Sequence, residues 1–131
     1  MTQAEKNGEV VRYWLAKAGE ALLAARDDLA ASRPEFAVNR CYYAAFYAAS
    51  AVLLSLGHHF VKHSGVRSAL HQHVVKAGLL ETQWGHLYDQ LFEERTRGDY
   101  VAFTSFDTED VRAMLARTER LVELMGRLVR P

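Results

Sequence analysis

The chain has little of what most enzyme folds advertise. Its single cysteine, Cys41, cannot form an internal disulfide. Sixteen Lys and Arg balance sixteen Asp and Glu, so no whole-chain field draws in nucleic acid or an anionic membrane, and any anion site must be local. No glycine loop that could cradle phosphate appears, nor a Ser, His and Asp order with supporting context, which disfavours ordinary hydrolase or kinase chemistry. No alternating apolar run competes as a strand, and there are no repeats, low-complexity tracts or linkers. Near Met1 no basic stretch leads into a short apolar segment with a cleavage site, so secretion is unsupported and a cytoplasmic protein is expected.

Half of the 131 residues are apolar or aromatic, enough to bury a core without metal or disulfide, and one domain over residues 1–131 is the expectation. The longest uncharged run, Cys41 to Leu56, extends to Val61 with only two histidines added, approaching the roughly 20 residues of a membrane span. Three tyrosines, two serines and many alanines make it weakly lipophilic. It suits the central helix of a bundle, apolar on most faces, and no membrane partner is expected.

Periodicity and punctuation predict an all-α, up-and-down bundle of four to five helices. Helix one spans about residues 5 to 31 on a stripe of Val11, Trp14, Leu15, Ala18, Leu22, Ala25 and Leu29. Pro34 suits the first turn of helix two, which continues to about Gly57. Ser64 is the expected cap of helix three, whose stripe of Val66, Ala69, Leu70, His73, Val74 and Ala77 closes at Gly78. Helix four carries Trp84, Leu87, Tyr88, Leu91, Phe92 and then Arg95 on one face, with Gly98 as its expected end. Asp107, followed by acids at 109 and 110, opens helix five on Val111, Met114, Leu115, Thr118, Val122, Met125 and Val129. Loops fall near residues 57–63, 78–82 and 98–107.

Arg40 is the only charge between residues 36 and 61 and shares a helical face with Phe36, Tyr43 and Tyr47. One reading pairs it with a carboxylate such as Asp99 or Glu94; the other makes its planar fork an anion-binding group. Arg95 extends an aromatic face. It can pair with Asp99 within the helix, although Gly98 weakens that account, or it can join Arg40, Asp99 and the hydroxyls of Tyr43 and Tyr100 in a pocket for a nucleotide or phosphodiester. Among the six histidines, His58, His59 and His63 lie near one loop, while His71 and His73 point about 200° apart on a helix. No cysteine or carboxylate completes a tetrahedral set, so no metal is expected, and His73 reads as a satisfied core histidine.

The ordered pieces Arg40-Cys41-Tyr42-Tyr43-Ala44-Ala45-Phe46, Gly57, His63-Ser64-Gly65-Val66, Leu91-Phe92 leading to Arg95, Asp99 and Tyr100, and Thr108 resemble the HEPN family, in its small stand-alone prokaryotic branch. The resemblance implies a four- to five-helix bundle that pairs as a homodimer, encoded beside a minimal nucleotidyltransferase and often part of a toxin-antitoxin pair. Active HEPN ribonucleases carry an arginine followed after four to six residues by a histidine, and two subunits together cut RNA without metal. The histidine moves the 2′-hydroxyl proton while the arginine holds the phosphate.

This sequence departs from the family there, because Tyr100, Val101 and Ala102 occupy the positions where that histidine belongs. Arg67 and His73 have the spacing but lie in helix three about 120° apart, a chance match. The expectation is therefore a noncatalytic HEPN-like protein associated with a nucleotide or RNA, a homodimer and partner of a nucleotidyltransferase, with no catalytic residue and no cofactor. Its ligand-binding residues are Arg40, Tyr43, His63, Ser64, Arg95, Asp99 and Tyr100. The alternatives are a metal-independent ribonuclease toxin with a degenerate motif and a structural dimeric adaptor without ligand. The dimer is also expected because helix two carries more apolar surface than a small bundle can cover.

Overall fold

Local capping chemistry sets the helix bounds in the computed structural model, which describes residues 1–129. Helix α1, Gln3–Ala30, starts at a capping box in which the Thr2 side chain accepts from the Glu5 amide and the Glu5 carboxylate reaches back to the Thr2 amide. Helix α2, Pro34–Ser55, has its proline in the first turn, where the missing donor costs nothing. It ends at Gly57, whose φ of 92° places it in the left-handed region. There the Gly57 amide donates to Leu54 O and the His58 amide to Leu53 O, a Schellman closure.

Helix α3, His63–Leu70, starts one residue before the expected cap, with Lys62 at the N-cap and Ser64 inside the first turn. It runs straight into a π-helical turn, His71–Val75, marked by the Lys76 amide donating to His71 O. That extra residue per turn rotates the end of the segment out of phase with its start. Val66, Ala69, Leu70 and Val74 stay buried, but Ala77 faces solvent and His73 is only half-buried, stacked on His58 with centroids 4.0 Å apart. His73 is thus not the core histidine its stripe suggested. Gly78, φ 79°, closes this segment as α2 is closed, with the Leu79 amide donating to Val74 O.

Helix α4, Thr82–Tyr100, passes through Gly98 instead of ending there. A Cβ at Gly98 would sit 3.2 Å from the Phe106 ring, so the glycine makes room for an aromatic side chain in the adjoining loop. Helix α5, Thr108–Leu128, starts at Asp107, whose carboxylate accepts from the Asp110 amide.

The bundle is built around α2. Its alanines let α1 approach closely along most of its length, and α5, α4 and α3 cover the remaining faces. Tyr42, Leu53, Leu70, Leu87, Tyr88, Leu91, Leu121 and Met125 are the large side chains of the shared core. Cys41 is buried among them, and desolvation pushes its thiol up to about 12, so it is an inert packing group. The uncovered α2 face anticipated from sequence is largely covered, since of its aromatic residues only Phe36 is exposed. Exposed apolar side chains include Tyr13 and Leu23 on α1, Phe36 at the start of α2, Val61 before α3, and Tyr100, Val101 and Phe103 at the end of α4 and just beyond it. No helix of the described residues is long and apolar enough to cross a membrane.

Candidate nucleotide-binding site

The end of α4 delivers Arg95 onto two tyrosine rings of α2. Its guanidinium carbon lies 5.1 Å from the Tyr42 centroid and 5.5 Å from that of Tyr43, and its side chain is 17% exposed. Nη2 donates to the Tyr43 hydroxyl at 3.2 Å. Because the helix continues through Gly98, Asp99 falls one turn after Arg95, and its carboxylate approaches Nε at 3.1 Å. The approach is close but poorly aligned: the Nε donor finds no hydrogen-bond acceptor among the described residues.

His63 reaches this corner through both tyrosines, its ring lying edge-on to Tyr43 with centroids 5.7 Å apart. Its Nδ1 lies 2.6 Å from the Tyr42 hydroxyl, and its ring stacks on Phe46 at 4.3 Å. Burial pushes the Tyr42 hydroxyl up to about 12, against the pull of the Arg95 charge, so it remains protonated at neutral pH. Burial and then the same guanidinium hold the His63 imidazole below its usual range. The protonated phenol and the imidazole share one hydrogen bond, whose direction follows the tautomer of His63. The pair is a strut beneath Arg95.

Arg40 does not pair with Asp99 or Glu94, as one reading of the sequence had it. Its partner is Asp28 of α1, 3.9 Å from Nε and too far for a hydrogen bond, while Arg33 donates twice to the same carboxylate at 3.1 and 3.2 Å. Two guanidiniums share one acid, and the Arg40 side chain is 53% exposed. Glu94 is engaged by Arg97. Arg40 lines a groove of about 530 Å³ between α1 and α2 with Lys17, Glu20, Asn39, Tyr43 and Tyr47. Arg95 lines a neighbouring groove of about 310 Å³ between α2 and α4, with Phe36, Asn39 and Asp99. Asn39 borders both, and Tyr43 lines the first while accepting from Arg95 of the second.

Of the seven residues singled out from sequence, Tyr43 and Asp99 each meet Arg95, Arg40 shares a groove with Tyr43, and His63 packs on Tyr42 and Tyr43. Ser64 lies in a third groove, beside Arg67 and His71. Tyr100 is 77% exposed at the helix end. Sequence reasoning missed Tyr42, Asn39 and Lys17. The helical spacing of Asn39 and Tyr43, four residues apart on one α2 face, is a signal that could have flagged Asn39. No three His, Cys, Asp or Glu side chains of the described residues are grouped so as to hold a metal ion.

A model of the HEPN domain matches residues 11–128. The chain is 37% identical over 129 residues to a UPF0332 protein of Thermotoga maritima, covering 98% of this chain and 96% of that one. It is 35% identical over 94 residues to a UPF0332 protein of Gloeobacter violaceus, 69% of this chain and 72% of the other. A Methanocaldococcus jannaschii protein provisionally named a toxin is 30% identical over 81 residues, 62% of this chain and 55% of its own length.

Proposed function

Because the chain belongs to the HEPN domain family, we propose that it is a noncatalytic member that binds a nucleotide or RNA around Tyr43 and works beside a nucleotidyltransferase in a toxin-antitoxin-type pair. The observation that carries the binding role is Arg40. Its guanidinium is half-exposed and held only at ion-pair distance by a carboxylate that already serves Arg33, and it stands with Lys17 in a groove walled by Tyr43 and Tyr47. A cationic, tyrosine-lined groove is the combination that phosphates and bases select. Arg95 backs the same tyrosine.

The residues after Arg95 support the noncatalytic reading. Tyr100 stands where the family's histidine would begin, α4 stops there, and the imidazole brought nearest, His63, has Nδ1 engaged by Tyr42. The relative provisionally named a toxin supports the toxin-antitoxin setting. The exposed Tyr100, Val101 and Phe103 supply apolar surface for a second copy or a partner.

A melting series of wild type, Arg40→Ala and Arg95→Ala against AMP, ATP and short RNA tests the binding role. Ligand at ten times its Kd stabilises the folded chain by about 1.4 kcal/mol, a rise of roughly 4 °C. Both substitutions should remove that rise. Without ligand, Arg40→Ala should cost under about 1 kcal/mol, since its ion pair is solvent-screened. Arg95→Ala should cost about 2 kcal/mol through its two tyrosine faces and Asp99. No rise in the wild type at millimolar AMP, ATP or RNA overturns the reading.

A further inference from the structure

The two grooves flanking Tyr43 differ in charge. The α1–α2 groove presents two cations, Lys17 and Arg40, against one carboxylate, Glu20. The Lys17 ammonium sits 3.9 Å from that acid, a loose contact that leaves it available. The α2–α4 groove presents Arg95 against three carboxylates, Glu35, Glu94 and Asp99. A phosphate is favoured in the first and repelled from the second, because like charges at short range cost free energy wherever solvent is partly excluded.

The second groove suits the uncharged end of a nucleotide. Carboxylates accept hydrogen bonds from ribose hydroxyls, and Phe36, 54% exposed, offers a ring face to a base. Its volume of about 310 Å³ is at the small end of ligand sites, room for one nucleoside. Asn39, on the rim of both grooves, can both donate and accept along the path between them.

Resting on the nucleotide-binding role above, we infer that the ligand is a ribonucleotide unit straddling Tyr43. Its phosphate lies on Arg40 and Lys17 in the α1–α2 groove, and its nucleoside lies in the α2–α4 groove with the ribose hydroxyls on Glu35 and Asp99. Arg95 then acts from behind Tyr43, as a positioning residue for that side chain and for Asp99. The arrangement selects RNA over DNA, because only the ribonucleotide carries the 2′-hydroxyl that the carboxylates can hold.

Titration calorimetry of the full chain with AMP, deoxy-AMP and adenosine tests this in wild type, Arg40→Gln and Glu35→Gln, both exposed positions. In wild type AMP should bind at least ten-fold more tightly than adenosine and several-fold more tightly than deoxy-AMP. Arg40→Gln should bring AMP down to the adenosine level. Glu35→Gln should shrink the preference for AMP over deoxy-AMP while keeping AMP ahead of adenosine. If AMP and deoxy-AMP bind the wild type equally, the straddling orientation is overturned and the binding role stands; if Arg40→Gln leaves AMP binding unchanged, the orientation falls together with the part given to Arg40 in the binding role. If the wild type binds neither AMP nor short RNA, the binding role itself falls, and this inference with it.

Discussion

Arg67 and Arg40 both look out on grooves, and the larger groove is the less promising one. Arg67, on α3, lines a space of about 730 Å³, yet it donates to Asp89 at 2.8 Å and to Glu93 at 3.3 Å while lying over the Phe92 ring at 4.5 Å. His71 adds a further contact to Asp89 at 2.9 Å. Burial alone would raise the Asp89 carboxyl, but the hydrogen bonds from His71 and Arg67 outweigh it and hold the group below the usual carboxylate range. Arg67, His71 and Asp89 are thus spent on one another inside the protein, and Lys76 on the rim is the groove's remaining cation. Arg40 faces a smaller groove with no hydrogen bond to Asp28 holding it. Whether an arginine is structural or available thus depends on how many carboxylates it must satisfy, not on how much space lies before it.

The largest effect that could break this contrast is on Arg67. Arg67→Ala leaves Asp89 half-covered with only His71 beside it and uncovers Phe92. A fully buried broken pair costs about 3–5 kcal/mol. With the partners about a third exposed, the expected loss is about 2–3 kcal/mol by urea unfolding, and the nucleotide-induced melting shift should persist. A loss no greater than that of Arg40→Ala would erase the distinction between the two arginines.

Gly85→Ala sharpens the same side of the comparison with a smaller effect. A Cβ at Gly85 would approach His71 Cε1 to 2.9 Å and Val75 Cγ2 to 3.2 Å, so the imidazole that braces Asp89 and the π-helical turn carrying it must shift. Overpacking costs about 1–3 kcal/mol, of which the better helix propensity of alanine offsets about 1 kcal/mol. A net loss of about 1 kcal/mol is expected. A stabilised variant would mean that the α3–α4 contact yields freely.

The smallest effect is a pH slope on the Arg95 side. His63 is held below its ordinary value, so the unfolded chain takes up its proton first as pH falls. The stability tied to neutral His63 is fully present above about pH 6.5 and is lost as pH falls from there through the folded value. Urea midpoints between pH 7.5 and 5 should decline in wild type and decline less in His63→Gln. An identical slope in the variant would assign the titration to another group.

The helix boundaries and much of the core were legible in the chain, because caps and stripes are local chemistry. Pro34, Gly57, Gly78 and Asp107 each act within a few residues of themselves, and the stripes of α1, α4 and α5 supply Val11, Leu87, Leu91, Val111 and Met125 to the core. Gly98 was misread because one glycine can end a helix or admit a distant ring, and only the position of Phe106 distinguishes the two. The phase of α3 was lost at the π-helical turn, where a fixed period stops applying.

The sequence by itself determined that this is an all-helical bundle around an alanine-rich central helix with arginines set on aromatic faces, since those properties arise from spacing along one segment. Helical spacing already offered Asp99 to Arg95, but that Arg40 meets Asp28 and that Arg95 meets Tyr43 was decided only by tertiary structure. The Arg95 donor and its Tyr43 acceptor are 52 residues apart, and Tyr42 and His63 are 21 apart. Such pairs depend on how α1, α3 and α4 dock on α2, and no periodicity within a helix encodes the rotation at which its neighbour arrives.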